Sequence, residues 1–115
     1  MADLVAREGV LATAQGAGGV SANRVCIGWD TAALYIRIVP GGNTMQIEQS
    51  IDGGVTFTGP IWANNLTSGG VTTTQQTSSA LFRIDYPSGV YQTNVTAFVS
   101  GSASAQYRIG PAFQE

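Results

Sequence analysis

The chain has 115 residues, a formal net charge of −2 at pH 7, only 10% charged residues, no histidine and one cysteine. These numbers fit one domain. They offer no basic field for nucleic acid and no internal disulfide, and they remove the commonest general base and metal ligand. No apolar run reaches the roughly 18 residues that a membrane span needs.

The first nineteen residues are predicted to be an N-terminal arm with a glycine-rich hinge, and residues 20–115 to be the folded domain. The residues compatible with one short amphipathic helix are Leu4, Val5, Leu11 and the nearby alanines. Two interpretations stay open, an arm that docks on a partner, and a frayed terminus or edge strand. Charges lie where a signal peptide needs an apolar core, so we expect a soluble chain without a cleaved export signal.

The remainder of the chain alternates between turn signals and short runs rich in β-branched and aromatic residues. Turn clusters recur about every 8–12 residues, which is typical of an all-β fold. The expected strands are Val25–Trp29, Leu34–Val39, Thr44–Ile51, Val55–Thr58, Val71–Gln76, Leu81–Tyr86, Val90–Phe98 and Ala105–Ile109. This spacing predicts an antiparallel β-sandwich, jelly-roll or immunoglobulin-like, of about seven or eight short strands with an N-terminal arm.

Alternation within these runs predicts which side chains face the core. In Leu34–Val39, every second residue from Leu34 is expected inside and Arg37 outside. In Leu81–Tyr86, the inward residues are predicted to be Phe82, Ile84 and Tyr86.

Two loops attract attention for different reasons. Asp52-Gly-Gly54 lies between two strand-like runs and predicts a tight hairpin, with Asp52 as a turn former rather than a catalytic residue. Residues 59–65 read as a loop that exposes Trp62, which would suit a contact anchor.

Charges are absent from long stretches of the second half. No charged residue occurs between Gly53 and Phe82, or between Tyr86 and Tyr107. Isolated domains normally use charge for solubility and to guard edge strands. The absence therefore predicts that the edges are covered by copies of the chain or by a partner.

No constellation of catalytic residues emerges from the sequence. Serine and threonine are abundant, but no histidine or lysine is present to activate them. Cys26 lies in a strand-like run and is interpreted as a structural thiol. The carboxylates are not spaced as a catalytic pair or a calcium loop. We therefore expect no enzyme, no cofactor and no metal site.

Two segments resemble a known family. One is Met45-Gln-Ile-Glu-Gln-Ser-Ile-Asp-Gly-Gly-Val-Thr-Phe-Thr58, and the other runs from Phe82 to Tyr107, with a Ser88-Gly-Val-Tyr91 turn, a long strand, a Ser100-Gly turn and a last strand. Together they cover about a third of the chain and are similar to the hairpin and closing strands of small β-sandwich virion proteins of tailed bacteriophages, of the head decoration or cement type.

The resemblance implies a decoration protein on the outer surface of the phage capsid, made in the host cytoplasm. Its partners would be the major capsid protein and copies of itself, with a trimer favoured. The predicted contact residues are Leu4, Val5, Val10, Leu11 and Trp62. The alternative is a glycan- or receptor-binding module of a tail or head fibre, which would expose Trp29, Trp62 or tyrosines as a flat cluster.

Overall fold

The computed structural model describes the backbone of residues 2–4 and all of residues 7–27 and 32–110. Its strands are β1 (Ala2–Leu4), β2 (Glu8–Gln15), β3 (Gly19–Val20), β4 (Asn23–Ile27), β5 (Ala33–Val39), β6 (Thr44–Ser50), β7 (Trp62–Asn65), β8 (Val71–Thr73), β9 (Ala80–Asp85), β10 (Gly89–Ala97) and β11 (Ala103–Gly110).

The strands form two sheets. The six-stranded sheet has the order β2-β11-β5-β9-β7-β8. In the five-stranded sheet, β10 pairs with β6 along one side and with β4 and β3 along the other, and β1 lies outside β4. All of these pairings are antiparallel except that of β1 with β4. The predicted all-β antiparallel sandwich is confirmed.

The connections between the sheets follow a jelly-roll pattern. Strands β4, β6 and β10 lie in one sheet, while β5, β9 and β11 lie in the other. The chain therefore passes from one sheet to the other between β4 and β5, between β5 and β6, between β9 and β10, and between β10 and β11. An immunoglobulin-like sandwich instead keeps more sequence neighbours paired within one sheet. Of the two architectures that the sequence left open, the pairing fits the jelly roll.

The core lies between the inner faces of the two sheets. Leu34, Ile36 and Ile38 are fully buried, as their alternation predicts, and Arg37 faces outward. Phe82 is also fully buried. The inward prediction for Tyr86 is wrong, because this residue has φ of +52° just after β9 and its side chain is exposed.

The N-terminal segment, which the sequence left compatible with a short helix or an edge strand, forms strands in both sheets. β2 pairs with β11, and Leu11 and Ala12 are both buried in the core. Register shifts interrupt this pairing near Ala105, so two neighbouring residues face inward where a regular strand would turn only one. Residues 8–15 are thus an edge strand of the sandwich rather than a detached arm.

The hairpin around Asp52 is wider than the sequence predicts. β6 ends at Ser50, and Thr58 rejoins it through a bridge to Gln49. Residues 51–56 between them are irregular, so the expected strand Val55–Thr58 is wrong. Asp52 accepts hydrogen bonds from the Ser50 hydroxyl and the Thr56 N–H, which lower its pKa to about 2. Its interpretation as a turn former is confirmed.

Candidate binding face

The outer face of the six-stranded sheet carries the most varied surface chemistry of the described residues. Directly opposite residues on paired strands share a face, so the registers define two rows of side chains across the sheet. The first row is Glu8, Arg108, Tyr35, Arg83, Asn64 and Val71. The second row is Val10, Gln106, Arg37 and Leu81.

One end of this face, at the hairpin formed by β7 and β8, exposes apolar side chains, and β7 pairs there with β9, where Arg83 and Asp85 form an ion pair. Trp62 is 67% exposed and Val71 is 62% exposed. Trp62 lies opposite Thr73, and Val71 lies opposite Asn64. Trp62 and Val71 are therefore diagonal neighbours on the exposed face, within reach of one contact patch. Leu66, in the turn between the strands, is 42% exposed.

The sequence placed Trp62 in a loop, whereas the structure places it at the start of β7. The reason is the pattern of burial, because Ala63 and Asn65 face inward and leave Trp62 and Asn64 outside or half-buried. Asn65 holds the turn, since its side-chain oxygen accepts hydrogen bonds from the N–H groups of Thr67 and Ser68. Trp62 is thus exposed on a hairpin whose turn is stabilised by these hydrogen bonds.

The other end of the face is a shallow cleft of about 710 Å³ over β2, β11 and β5. Its lining includes Glu8, Val10, Arg37, Gln106 and Arg108. The register places Gln106 opposite Arg37. Both arginines are exposed.

Two of the arginines on this face have internal partners. The guanidinium of Arg108 lies over the ring of Tyr35, 5.7 Å from its centroid, which is a cation–π contact. Arg83 forms a 3.0 Å ion pair with Asp85. Neither contact removes the guanidinium from the surface, but both restrict its orientation.

Comparisons with protein-family models, curated proteins and solved structures find no match for this chain.

The predicted contact residues fall in different places. Trp62 is exposed, and Val10 is 39% exposed at the cleft. Leu11 is fully buried, so its role as a contact residue is corrected, because a partner cannot reach a side chain inside the core. The backbone of Leu4 is part of β1. Val5, like Trp29, lies outside the described residues.

The outer face of the five-stranded sheet contains a polar network around Glu48. This carboxylate is 8% exposed and accepts hydrogen bonds from the side-chain amides of Gln46, Gln92 and Asn94, at 2.7–2.9 Å. Gly59 packs so closely that a Cβ there would lie 2.5 Å from the Glu48 Cγ. The satisfied and covered carboxylate has the geometry of a structural group.

The described residues contain no group of three or more histidine, cysteine or acidic side chains that could hold a metal ion. Within the same residues, no helix has the length and apolar character needed to cross a membrane. Tyr91 illustrates how polar groups serve the fold, since its hydroxyl accepts hydrogen bonds from Gln49 and from the Ser88 N–H. Burial raises its pKa above the ordinary value.

Proposed function

We propose that this protein is a capsid decoration protein that binds the assembled head of a tailed bacteriophage and stabilises it through many equivalent contacts. The observation that carries the proposal is the exposed Trp62 on the β7–β8 hairpin, in a stretch of sequence without charged residues. Tryptophan is among the residues that most often dominate binding energy at interfaces. Exposing one without a charged neighbour in the sequence favours a permanent partner.

The binding mechanism is avidity. Each copy would insert Trp62 and Val71 against the major capsid protein, and burying one such aromatic side chain is worth about 2–3 kcal/mol. A free energy of this size gives only weak binding for a single contact. Many linked contacts on one particle raise the effective affinity because a released contact reforms before the others dissociate.

Sparse charge supports the same proposal. Copies crowded on one surface would repel each other less when their exposed positions are threonine, serine, asparagine and glutamine. Association of the chain with itself, with a trimer favoured, belongs to this proposal. It predicts a mass in solution above that of one chain.

Binding to particles tests the proposal. The Trp62→Ala variant is expected to bind heads from a virus-enriched fraction of the source culture about tenfold more weakly than the native chain in a co-sedimentation assay. Tyr86→Ala is the matched control, because Tyr86 is also an exposed aromatic residue, at 60%, but lies outside the hairpin. Equal binding by all three proteins would refute the role of the hairpin.

Deleting the first fifteen residues is not a clean test of a docking segment. The deletion removes β2, whose Leu11 is in the core, so loss of binding would follow from damage to the sandwich. The single substitution at Trp62 avoids this problem because its side chain is exposed.

The alternative, a glycan-binding module, has less support from the described residues. A sugar platform needs several accessible aromatic rings. Tyr35, Tyr91 and Tyr107 are each no more than 5% exposed, so Trp62 and Tyr86 are the exposed tryptophan and tyrosine among the described residues.

A further inference from the structure

The cleft at the β2 end of the six-stranded sheet takes no part in the proposed function. Arg37 and Arg108 project from neighbouring strands at diagonal positions, because Arg37 is opposite Gln106 and Arg108 is opposite Tyr35. Diagonal positions lie about 7–8 Å apart across a sheet. Two guanidinium groups at this spacing can bind an anion together.

The two arginines differ in how they are held. Arg108 is oriented by its contact with Tyr35. Arg37, within the part of the chain that the structure describes, has no ion-pair or hydrogen-bond partner. The arginine fork matches a carboxylate or phosphate with two parallel N–H donors. Arg37 therefore offers such a fork at the surface, beside a second, pre-oriented one.

Apolar side chains flank this pair. Val10 lies opposite Gln106 on one side, and Leu81 lies opposite Arg37 on the other. A ligand that fits the cleft must therefore combine acidic groups with apolar groups over a span of several strands, each about 4.8 Å apart.

Two other ligand classes fit less well. A sugar would stack on an exposed ring, but Tyr35 and Tyr107 in the cleft are only 5% and 3% exposed. A nucleic acid needs many phosphate contacts and an extended basic field, whereas the cleft offers two arginines and the chain has a net charge of −2.

We infer that this cleft is a docking site for an acidic segment of a partner polypeptide, with Arg37 and Arg108 binding its carboxylates and Val10 and Leu81 contacting its apolar side chains. Charge complementarity selects this occupant. The inference goes beyond the proposed function, because it holds whichever particle or protein carries the segment.

The test uses the full isotope-labelled chain and a synthetic poly-glutamate peptide, with a poly-glutamine peptide of equal length as the control probe. Backbone amide shifts are recorded at about 0.02 M and about 0.3 M salt, since screening weakens exposed charge contacts. Poly-glutamate is expected to shift the amides of Arg37, Gln106 and Arg108 at low salt, and poly-glutamine is expected to leave them unchanged.

Three substitutions sharpen the test. Arg37→Gln should weaken binding of poly-glutamate about tenfold, because it removes one charge-assisted fork. Arg83→Gln removes the same charge from the same face, but Arg83 does not line the cleft and is paired with Asp85, so the loss of binding should be smaller than that of Arg37→Gln. Glu8→Gln should tighten binding, because it removes a negative charge from the cleft.

Four outcomes would overturn the inference. They are an absence of shifts in the cleft, equal binding of poly-glutamine, equal losses in the Arg37 and Arg83 variants, or tighter binding of the acidic glycan polygalacturonate than of poly-glutamate. Failure of the Trp62 variant to affect head binding would refute the proposed function and leave these results unchanged. The two proposals therefore fail separately.

Discussion

Replacing Glu48 with glutamine should destabilise the sandwich although the two side chains have nearly the same shape. The carboxylate accepts from Gln92 at one oxygen and from Gln46 and Asn94 at the other. In the Glu48→Gln variant, one oxygen becomes an NH₂ group that faces an N–H donor. Hydrogen bonds to a charged group are worth about 1.5–3 kcal/mol and neutral ones about half as much.

The expected loss in the free energy of unfolding is about 2 kcal/mol. This loss is the cost of breaking one hydrogen bond and weakening two others. It is partly offset because the variant no longer buries a charge. This loss corresponds to a fall in Tm of about 8 °C for a domain of this size. Thermal and urea unfolding monitored by circular dichroism measure it.

Glu8→Gln is the matched control, because it makes the same chemical change at an exposed position. Its free energy of unfolding should change by less than about 0.5 kcal/mol. If the Glu48 and Glu8 variants are equally stable, the network does not hold the sheet. A Glu48 variant more stable than the native chain would show that the buried charge costs more than its hydrogen bonds return.

Two further predictions concern the ends of strands. The pKa of Asp52, about 2 in the folded chain because Ser50 and Thr56 donate to it, is below the usual unfolded value of about 3.9. Its stabilising effect is therefore complete above about pH 4 and is lost as the pH falls to about 2. The Tm deficit of Asp52→Asn should shrink over that interval, and a constant deficit would contradict the assignment. Gly89→Ala should cost about 2 kcal/mol or more, because φ is +96° and the new Cβ would lie 2.3 Å from the Ser50 carbonyl oxygen. Gly16→Ala, with no atom within 4 Å of its Cβ, should cost less than about 0.5 kcal/mol, and equal losses in urea unfolding would refute the steric argument.

The sequence predicted the central strands well because they alternate regularly. Leu34–Val39 has one face in the core and one outside, so a period of two reveals both the strand and its orientation. Edge strands were harder to recognise. In β2, the irregular pairing with β11 buries Leu11 and Ala12 together, and this hides the period that would have revealed a strand.

Amino-acid composition also led to wrong secondary-structure predictions at the hairpins. Val55 is β-branched and followed by Thr56 and Phe57, which predicts a strand, but it is 83% exposed in a loop that Asp52 holds. β7 looked like a loop because it is short and follows Gly59-Pro60. Its pairing with β8 and β9 depends on contacts that local sequence does not specify.

Trp62, at one end of the candidate binding face, could be predicted from the sequence, and the arginine pair at the other end could not. Trp62 was singled out because residues 59–65 read as a loop that exposes it; its exposure is confirmed, although it lies in β7. The pair of Arg37 and Arg108 could not be predicted, because these residues lie far apart in the chain and only the register between β5 and β11 brings them together. No local motif records that register.

The most direct test of the central claim is immunogold electron microscopy of a virus-enriched fraction from the source culture, with an antibody raised against this chain. If the protein decorates the phage head, gold is expected over the heads of the particles. Gold confined to tails or fibre tips would contradict head decoration and favour an adsorption role with a glycan or receptor. Particles without label would contradict the virion proposal altogether.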